Sequence, residues 1–388
     1  MDDRLPPASW TSRDDLARLI GSLGPGQARY VGGAVRDTLL GQPVKDIDIA
    51  TRLLPRRVMS MLQDAEIKCI PTGIDHGTVT AVLPEGPVEI TTLRHDIATD
   101  GRRATVAFAS DWREDAARRD FTINALYVDP ATLAIYDYFE GRADLAARRV
   151  RFIGDARQRI REDHLRILRY FRFQARFGSQ PADPEAEEAC QELASTLKGL
   201  SRERVSMELM NLLALPDPSP TVARMAELGV LRVILPEADP GRLPDLITWE
   251  KTQDVPANSL RRLASLLPPD PLVAEQIAAR LRLSGEQKKR LAAAAARTDG
   301  CDDPRALAYR LGRDVAVDQL LLDGADIAPL TGWQIPQFPL RGRDIVARGV
   351  HAGPAVARIL HAIETRWIAE GFPDSARVNA MLDEELAA

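Results

Sequence analysis

The sequence predicts an α+β protein, with a head of mixed strands and helices over residues 1–140 and an all-helical remainder. Two observations carry this prediction. Short β-branched or alternating runs, punctuated by glycine and proline, crowd the first 140 residues and fade after Gly141. Beyond that point helical patterns follow one another, broken at LPDPSP (215–220) and LPPDP (267–271). A chain of 388 residues can bury more than one core. The expected divisions are a head at 1–140, a helical neck at 141–210, a helical body at 211–270 and a helical tail at 271–388.

Within the head, RYVGG (29–33) is a short strand running into two glycines, and AVRDTLLG (34–41) is a helix closed by Gly41. DIDIAT (46–51) alternates as a strand. TVTAVL (78–83) and VEITTLR (88–94) form a hairpin around PEGP. TDGRRATVAFASDW (99–112) is expected as a polar loop. TINALYVD (122–129) and AIYDYF (134–139) are strands around DPAT, and residues 155–177 carry one helix pattern.

Composition excludes several classes. No apolar run approaches the roughly 18 residues needed to cross a bilayer. The start, MDDRLPPASW, is acidic and has neither a signal-peptide nor a transit-peptide pattern. Cys69, Cys190 and Cys301 lie far apart and form no CxxC pair, so neither a zinc site nor a disulfide framework is expected, and a reducing cytoplasm fits. His95–Asp96 is an HD dipeptide, but after His164 only His351 and His361 remain, too few for a metal-dependent phosphohydrolase. The net charge of −5 argues against indiscriminate nucleic-acid binding. Charge is nonetheless uneven. Between Gly141 and Gly178 eleven arginines face four acids, a local stripe suited to a phosphate-bearing partner.

Three stretches carry chemistry. In VKDIDIA, strand periodicity puts Asp46 and Asp48 on one face and Ile47 and Ile49 on the other. Parallel carboxylates repel unless a positive charge sits between them, and a pair of hard Mg²⁺ ions with oxygen ligands fills that need. Two such ions activate an attacking hydroxyl and carry a leaving pyrophosphate. A solvated strand edge would give the same DxD pattern. Upstream, YVGGAVRD sets Gly32 and Gly33 at a strand-to-helix turn with Arg36 one helical turn on, an arrangement suited to a triphosphate. It is neither a Walker loop nor a dinucleotide fingerprint. Further on, REDHLRILRYFRFQARFG (161–178) spaces Asp163, Arg166, Arg169 and Arg172 three residues apart. On a helix each steps back by about 60°, tracing a slow spiral over one half, while Ile160, Ile167, Leu168 and Phe171 face the core. An ion-paired solvent face would share that division.

Taken in order, these motifs resemble the class II nucleotidyltransferases of the DNA polymerase beta-like superfamily, whose members are tRNA CCA-adding enzymes and bacterial poly(A) polymerases. GGAVRD–VKDIDIA is similar to the family's first motif and RRDFTINALY (118–127) to its second. DYFEGRADLAARRVRFIGDARQRIREDHLRILRYFRF resembles its connector and base-reading helix, and LSRERVSMEL (200–209) the helix-stabilising motif that follows. The match runs from Tyr30 to about Leu209. FPLRGRDIVARGVHAGPAVARILHAIETRW (338–367) resembles the tail of CCA-adding enzymes, with HAGP as a helix start.

The resemblance implies a polymerase beta-like head and template-independent addition of C, C and A to a tRNA 3′ end from CTP and ATP. Asp46 and Asp48 would bind two Mg²⁺ ions, with Glu89 as a third carboxylate. Gly32, Gly33 and Arg36 would meet nucleotide phosphates, with Asp37 bracing Arg36. Arg119 and Asp120 would contact the nucleotide and its ribose. Asp163 and Arg166 would read the base, with Glu162 orienting the arginines and Arg169 and Arg172 serving phosphates or helix bracing. A carboxylate only accepts hydrogen bonds and a guanidinium only donates. Together they match the amino group and ring nitrogen of cytosine and adenine and mismatch uracil and guanine. The partners implied are the tRNA acceptor end, CTP and ATP, with no membrane and no DNA. Poly(A) polymerase, a CC-only or A-only enzyme, and an inactive RNA-binding scaffold are the alternatives.

Overall fold

The computed structural model describes residues 3–100, 103–297 and 303–387, with the backbone alone at 75, 95–100 and 103–107. The chain divides into two compact units, residues 1–236 and 237–388. That division falls inside the stretch expected as the body.

In the first unit, α1 (Asp14–Leu23) buries Leu16, Leu19 and Leu23, one face at helical spacing, and carries Asp14 and Asp15 in its first turn, where the helix dipole favours acids. Strand β1 (Ala28–Val31) runs into Gly32, whose φ of 73° and ψ of −125° suit a residue without a Cβ. Helix α2 (Gly33–Leu39) starts there. Then come β2 (Ile47–Thr51), α3 (Pro55–Asp64), β3 (Cys69–Gly73), β4 (Thr78–Leu83) and β5 (Gly86–Thr92). The strand order is β3-β4-β5-β2-β1, continuing through β8 (Leu126–Val128) to β9 (Ile135–Asp137), seven strands in all. β2 pairs with β5 in parallel and with β1 antiparallel, so the sheet is mixed, as the sequence predicts.

The expected loop at 99–112 is instead a second, two-stranded sheet of β6 (Arg94–Asp100) and β7 (Arg103–Phe108), followed by α4 from Trp112 to Ala117. Charged residues obscured the strand signal. Asp111 caps α4 by accepting the Arg113 N–H at 2.8 Å. Trp112 and Ala116 join Leu93, Ala109 and Tyr127 in a core on one face of the main sheet. TINALYVD is strand only at β8, because Thr122–Asn124 forms a short 3-10 turn.

Helices follow: α5 (Gly141–Ala146), α6 (Ala156–Glu162), α7 (Arg166–Phe177), α8 (Pro184–Glu192), α9 (Arg202–Leu213), α10 (Ser219–Glu227) and α11 (Val230–Ile234). Ile160, Ile167, Leu168 and Phe171 are buried, as predicted. The continuous helix expected at 155–177 is, however, two helices. Asp163 is extended, with φ −150° and ψ 105°. Its carboxylate accepts the Leu165 N–H at 3.1 Å and its carbonyl accepts the Arg166 N–H at 3.0 Å. These local bonds offer the backbone an alternative to the helical ladder and start α7 afresh.

The second unit is helical: α12 (Leu243–Thr252), α13 (Ser259–Ser265), α14 (Pro271–Arg280), α15 (Gly285–Ala295), α16 (Pro304–Leu311), α17 (Arg313–Leu322), α18 (Gly342–Val346), α19 (Pro354–Ala369) and α20 (Ser375–Ala387). The proline breaks fall between helices, and Pro354 opens α19. Trp367, Ile363, Met381 and Leu382 form one of its cores. Among the described residues no helix is long and apolar enough to cross a membrane.

Candidate active site

A cavity of about 570 Å³ in the first unit brings together side chains from the sheet, from Arg94, from the turn after α4, and from the helices beyond. Its floor is one row across the sheet. Tyr127 pairs with Val31, Val31 with Asp48, and Asp48 with Glu89. Directly paired residues point to the same face, so Asp48 and Glu89 stand side by side while Ile47, Ile49, Val88 and Ile90 fill the opposite face. Asp46 precedes β2 and is exposed, so the sheet aligns Asp48 with Glu89 rather than with Asp46.

Burial, and then the negative charges of Glu89 and Asp46, push the Asp48 carboxyl above its ordinary range, against the pull of Arg119. Among the described residues no cationic side chain pairs with Asp46, Asp48 or Glu89. Nor do three His, Cys, Asp or Glu side chains among them form a ready-made metal cluster. Mutually repelling carboxylates that lack a paired cation in a cavity fit a hard, oxygen-seeking divalent ion.

The cationic wall comes from the RRD turn. Arg119 donates from Nε to the Tyr127 hydroxyl at 3.0 Å and from Nη2 to Asp115 at 3.3 Å. A Cβ at Gly32 would lie 3.5 Å from its Nη1, so the glycine turn and this guanidinium approach closely. Asp120 also lines the cavity but has other partners. It accepts from Asn124 at 3.0 Å, from the Phe121 N–H at 2.8 Å and from Arg169 Nε at 2.9 Å. Burial would raise the Asp120 carboxyl, but the Arg169 charge and these hydrogen bonds hold it at about 2.

Asp163, Arg166 and Arg169 also line the cavity, yet the Asp163 carboxylate is not bonded to the Arg166 guanidinium. Its Oδ2 accepts from Arg204 of α9 at 2.7 Å. Arg166 donates to Glu162 at 2.7 Å and to the carbonyls of Arg159 and Arg118, so Glu162 orients Arg166, but its second partner is Arg159 rather than another arginine of the expected row. Arg172 donates to buried Glu208 at 2.6 Å and does not line the cavity. It is a brace.

Arg36 departs furthest from expectation. It is buried behind the wall, bonded to Asp37 at 2.8 Å and to Asn124 at 2.5 Å, with its guanidinium 4.1 Å from the Phe177 ring centre. Asp37 braces it, as anticipated, but here Arg36 faces protein rather than the cavity. A polar chain Asp37–Arg36–Asn124–Asp120–Arg169 thus ties α2 to α7. The side chains of His95 and Asp96 lie outside the described residues.

The Poly A polymerase head domain family matches residues 28–151, and the family described as "Probable RNA and SrmB- binding site of polymerase A" matches residues 182–241. The CCA tRNA nucleotidyltransferase 1, mitochondrial, of Danio rerio is 36% identical over 361 residues, covering 88% of this chain and 83% of its own. The chain belongs to the CCA tRNA nucleotidyltransferase family. The crystal structure of the Bacillus stearothermophilus CCA-adding enzyme in complex with CTP superposes with a TM-score of 0.76 at 28% identity, covering 96% of this chain and 97% of that one. The Thermotoga maritima CCA-adding enzyme complexed with tRNA shares the fold, with a TM-score of 0.69 at 19% identity over 97% and 98% of the two chains. As a member of this family the chain is a nucleotidyltransferase. The inactive-scaffold alternative falls with that assignment.

Sequence reasoning passed over Asn124, Arg204 and Glu208, although each lies inside a quoted motif. It also passed over Asp115, three residues before RRDFTINALY. Each acts on a named site residue through a contact that spacing does not report. Asp120 yields a pH prediction. A carboxyl held at about 2, against an ordinary 3.8, adds stability present above the unfolded value and lost as pH falls through the folded one. The contribution is about 2 kcal/mol. Asp120→Asn should therefore flatten the loss of melting temperature between pH 4 and pH 2, measured by circular dichroism. An unchanged slope would exclude the Asp120–Arg169 pair as its source.

Proposed function

We propose that this cavity adds C, C and A to the 3′ end of a tRNA from CTP and ATP, without a nucleic-acid template, releasing pyrophosphate at each step. One observation carries the reading. Asp48 and Glu89, Arg119, and the pair Asp163 and Arg166 line a single cavity. Asp48, Glu89 and Asp46 would hold Mg²⁺, two ions in this reading, which when bound help ionise the attacking hydroxyl and neutralise the leaving pyrophosphate. The terminal 3′-hydroxyl attacks the α-phosphate in line. Arg119, fixed at two of its nitrogens, donates to the phosphates or ribose from the side facing Gly32.

Asp163 accepts from the exocyclic amino group of cytosine or adenine. A carboxylate has about four acceptor positions, so the bonds from Arg204 and the Leu165 N–H leave room for the base. Arg166 donates to the ring nitrogen. Arg169 and Arg172, each paired with a carboxylate, hold the wall in place. The helical tail at 271–388 would grip the tRNA by its backbone. The cytoplasmic expectation rests on a reducing setting, with which the free thiols of Cys69 and Cys190 agree.

The test is to incubate the protein with tRNA lacking its end, supply CTP and ATP singly and together with Mg²⁺, and sequence the product. CCA ends are expected. Long A tails would favour poly(A) polymerase, a product stopping at CC or gaining A alone a partial enzyme, and no product would sink the reading. Asp163→Ala should weaken discrimination against UTP by about tenfold or more while tRNA binding persists, since each mismatched buried polar group costs about 1–3 kcal/mol. Unchanged discrimination would remove Asp163 from base reading.

A further inference from the structure

We propose that Asp115, on α4 and outside the expected site, is the positioning residue that fixes Arg118 and Arg119 as the anion-binding wall of the cavity. The proposal rests on the reaction above and deepens it. Asp115 is 1% exposed, and its two oxygens meet four donors. Oδ1 accepts from Arg118 Nε at 2.9 Å and from the backbone N–H of Arg94 at 3.3 Å. Oδ2 accepts from the Tyr127 hydroxyl at 2.6 Å and from Arg119 Nη2 at 3.3 Å. Arg94, Arg118 and Arg119 all line the cavity, and Asp115 does not.

The placement follows from local geometry. Asp115 lies on the short helix α4, so residues three and four further on come back beside it, and these are the two arginines of RRD. Tyr127 closes the arrangement from the sheet. It stands in the row that includes Val31, Asp48 and Glu89, and its hydroxyl donates to Asp115 while accepting from Arg119 Nε. Arg119 is therefore held at Nε and Nη2, leaving Nη1 turned toward the Gly32 turn. Burial would raise the Asp115 carboxyl, yet the Arg119 and Arg118 charges and the tyrosine hydrogen bond keep it below its ordinary range and ionised.

Two adjacent guanidinium groups repel each other. One buried anion between them allows both to stay at the wall while leaving that wall net positive for a polyphosphate. Without it, Arg118 and Arg119 would splay, and the fixed donor beside the glycine turn would be lost.

Asp115→Asn keeps the shape and removes the charge, and Tyr127→Phe removes one anchor of Arg119 while leaving the carboxylate. For Asp115→Asn the expected result is a rise of about tenfold in KM for CTP and for ATP alike, as for loss of a charged hydrogen bond. A smaller rise is expected for Tyr127→Phe. In both, kcat at saturating nucleotide and discrimination against UTP should change by less than about threefold, and the inhibition constant of inorganic pyrophosphate should rise in parallel. A purely structural role would lower the melting temperature without moving KM and the pyrophosphate constant together, and that outcome overturns the proposal. If Asp115→Asn does not fold, folded Tyr127→Phe with unchanged KM overturns it alone. Calorimetric titration of CTP with Mg²⁺ reads the same wall without turnover. Inactive wild type would thus sink the proposed reaction, whereas unchanged CTP affinity in Asp115→Asn would sink the role given to Asp115.

Discussion

Asp48→Asn is expected to slow nucleotide transfer by at least about a thousandfold while CTP binding changes only a few-fold. The substitution keeps the shape and removes one negative charge from the pair that Asp48 forms with Glu89 across β2 and β5. Charge stabilisation of this kind supplies several kcal/mol at the transition state, and about 1.4 kcal/mol corresponds to each tenfold in rate. The phosphate and base contacts proposed for Arg119, Asp163 and Arg166 remain, so ground-state binding is largely spared. Stability should move the other way. Burial and the neighbouring acids raise the Asp48 carboxyl above its unfolded value. A raised folded value means that stability present at low pH is lost as pH rises through it, so at neutral pH the ionised group destabilises the fold. Without divalent ions the variant should therefore melt at the same temperature as the wild type or higher, and added Mg²⁺ should raise the melting temperature of the wild type more than that of the variant. Single-turnover assays and thermal melts with and without Mg²⁺ check both halves. A variant with wild-type activity, or one that gains as much from Mg²⁺, would remove Asp48 from the chemistry.

Much of this site was legible because strand alternation is a strict rule. The order polar–apolar–polar in DIDI put Asp48 on one face and Ile47 and Ile49 on the other, and burial agrees. What remained hidden depends on contacts distant in sequence. Asp163 breaks the helix because its own carboxylate competes for a backbone N–H, which three-residue spacing cannot report. Its partner, Arg204, lies 41 residues on in another helix. Arg36 had the composition of a phosphate ligand, but whether a guanidinium faces solvent or a buried asparagine is decided by packing, here by Asn124 and Phe177. The β6–β7 hairpin was masked because its strand pattern is diluted by arginines and aspartates.

The second large effect lies in the helical unit 237–388. Glu250 of α12 accepts from Arg261 Nε at 2.9 Å through one oxygen and from Arg262 Nε at 2.8 Å through the other. Arg261 also reaches Asp318 of α17 at 3.2 Å, and Asp318 is bonded in turn by Arg290 of α15 at 2.7 Å. Glu250, Arg261 and Arg262 are each 2% exposed, and Asp318 is fully buried. One connected set of charges thus pins four helices, and the four buried members cannot recruit water when a partner is lost. Removing one partner of a buried pair typically costs about 3–5 kcal/mol, because the remaining charge stays desolvated. Glu250→Ala should therefore lose that much stability in this unit. Trp249, Trp333 and Trp367 report on it by fluorescence in urea, and Trp10 and Trp112 report on the other unit. The cavity residues belong to residues 1–236, so CTP should still bind at urea concentrations that unfold 237–388 in the variant. If the tail grips tRNA, CCA addition should fail at those concentrations, and adding CTP should not restore it. A stability change below about 1 kcal/mol would mean that water or a shifted neighbour replaces the glutamate, against the burial seen here. Loss of CTP binding in step with the helical unit would mean that the cavity depends on that unit, and the assignment of the two activities to separate parts of the chain would fall.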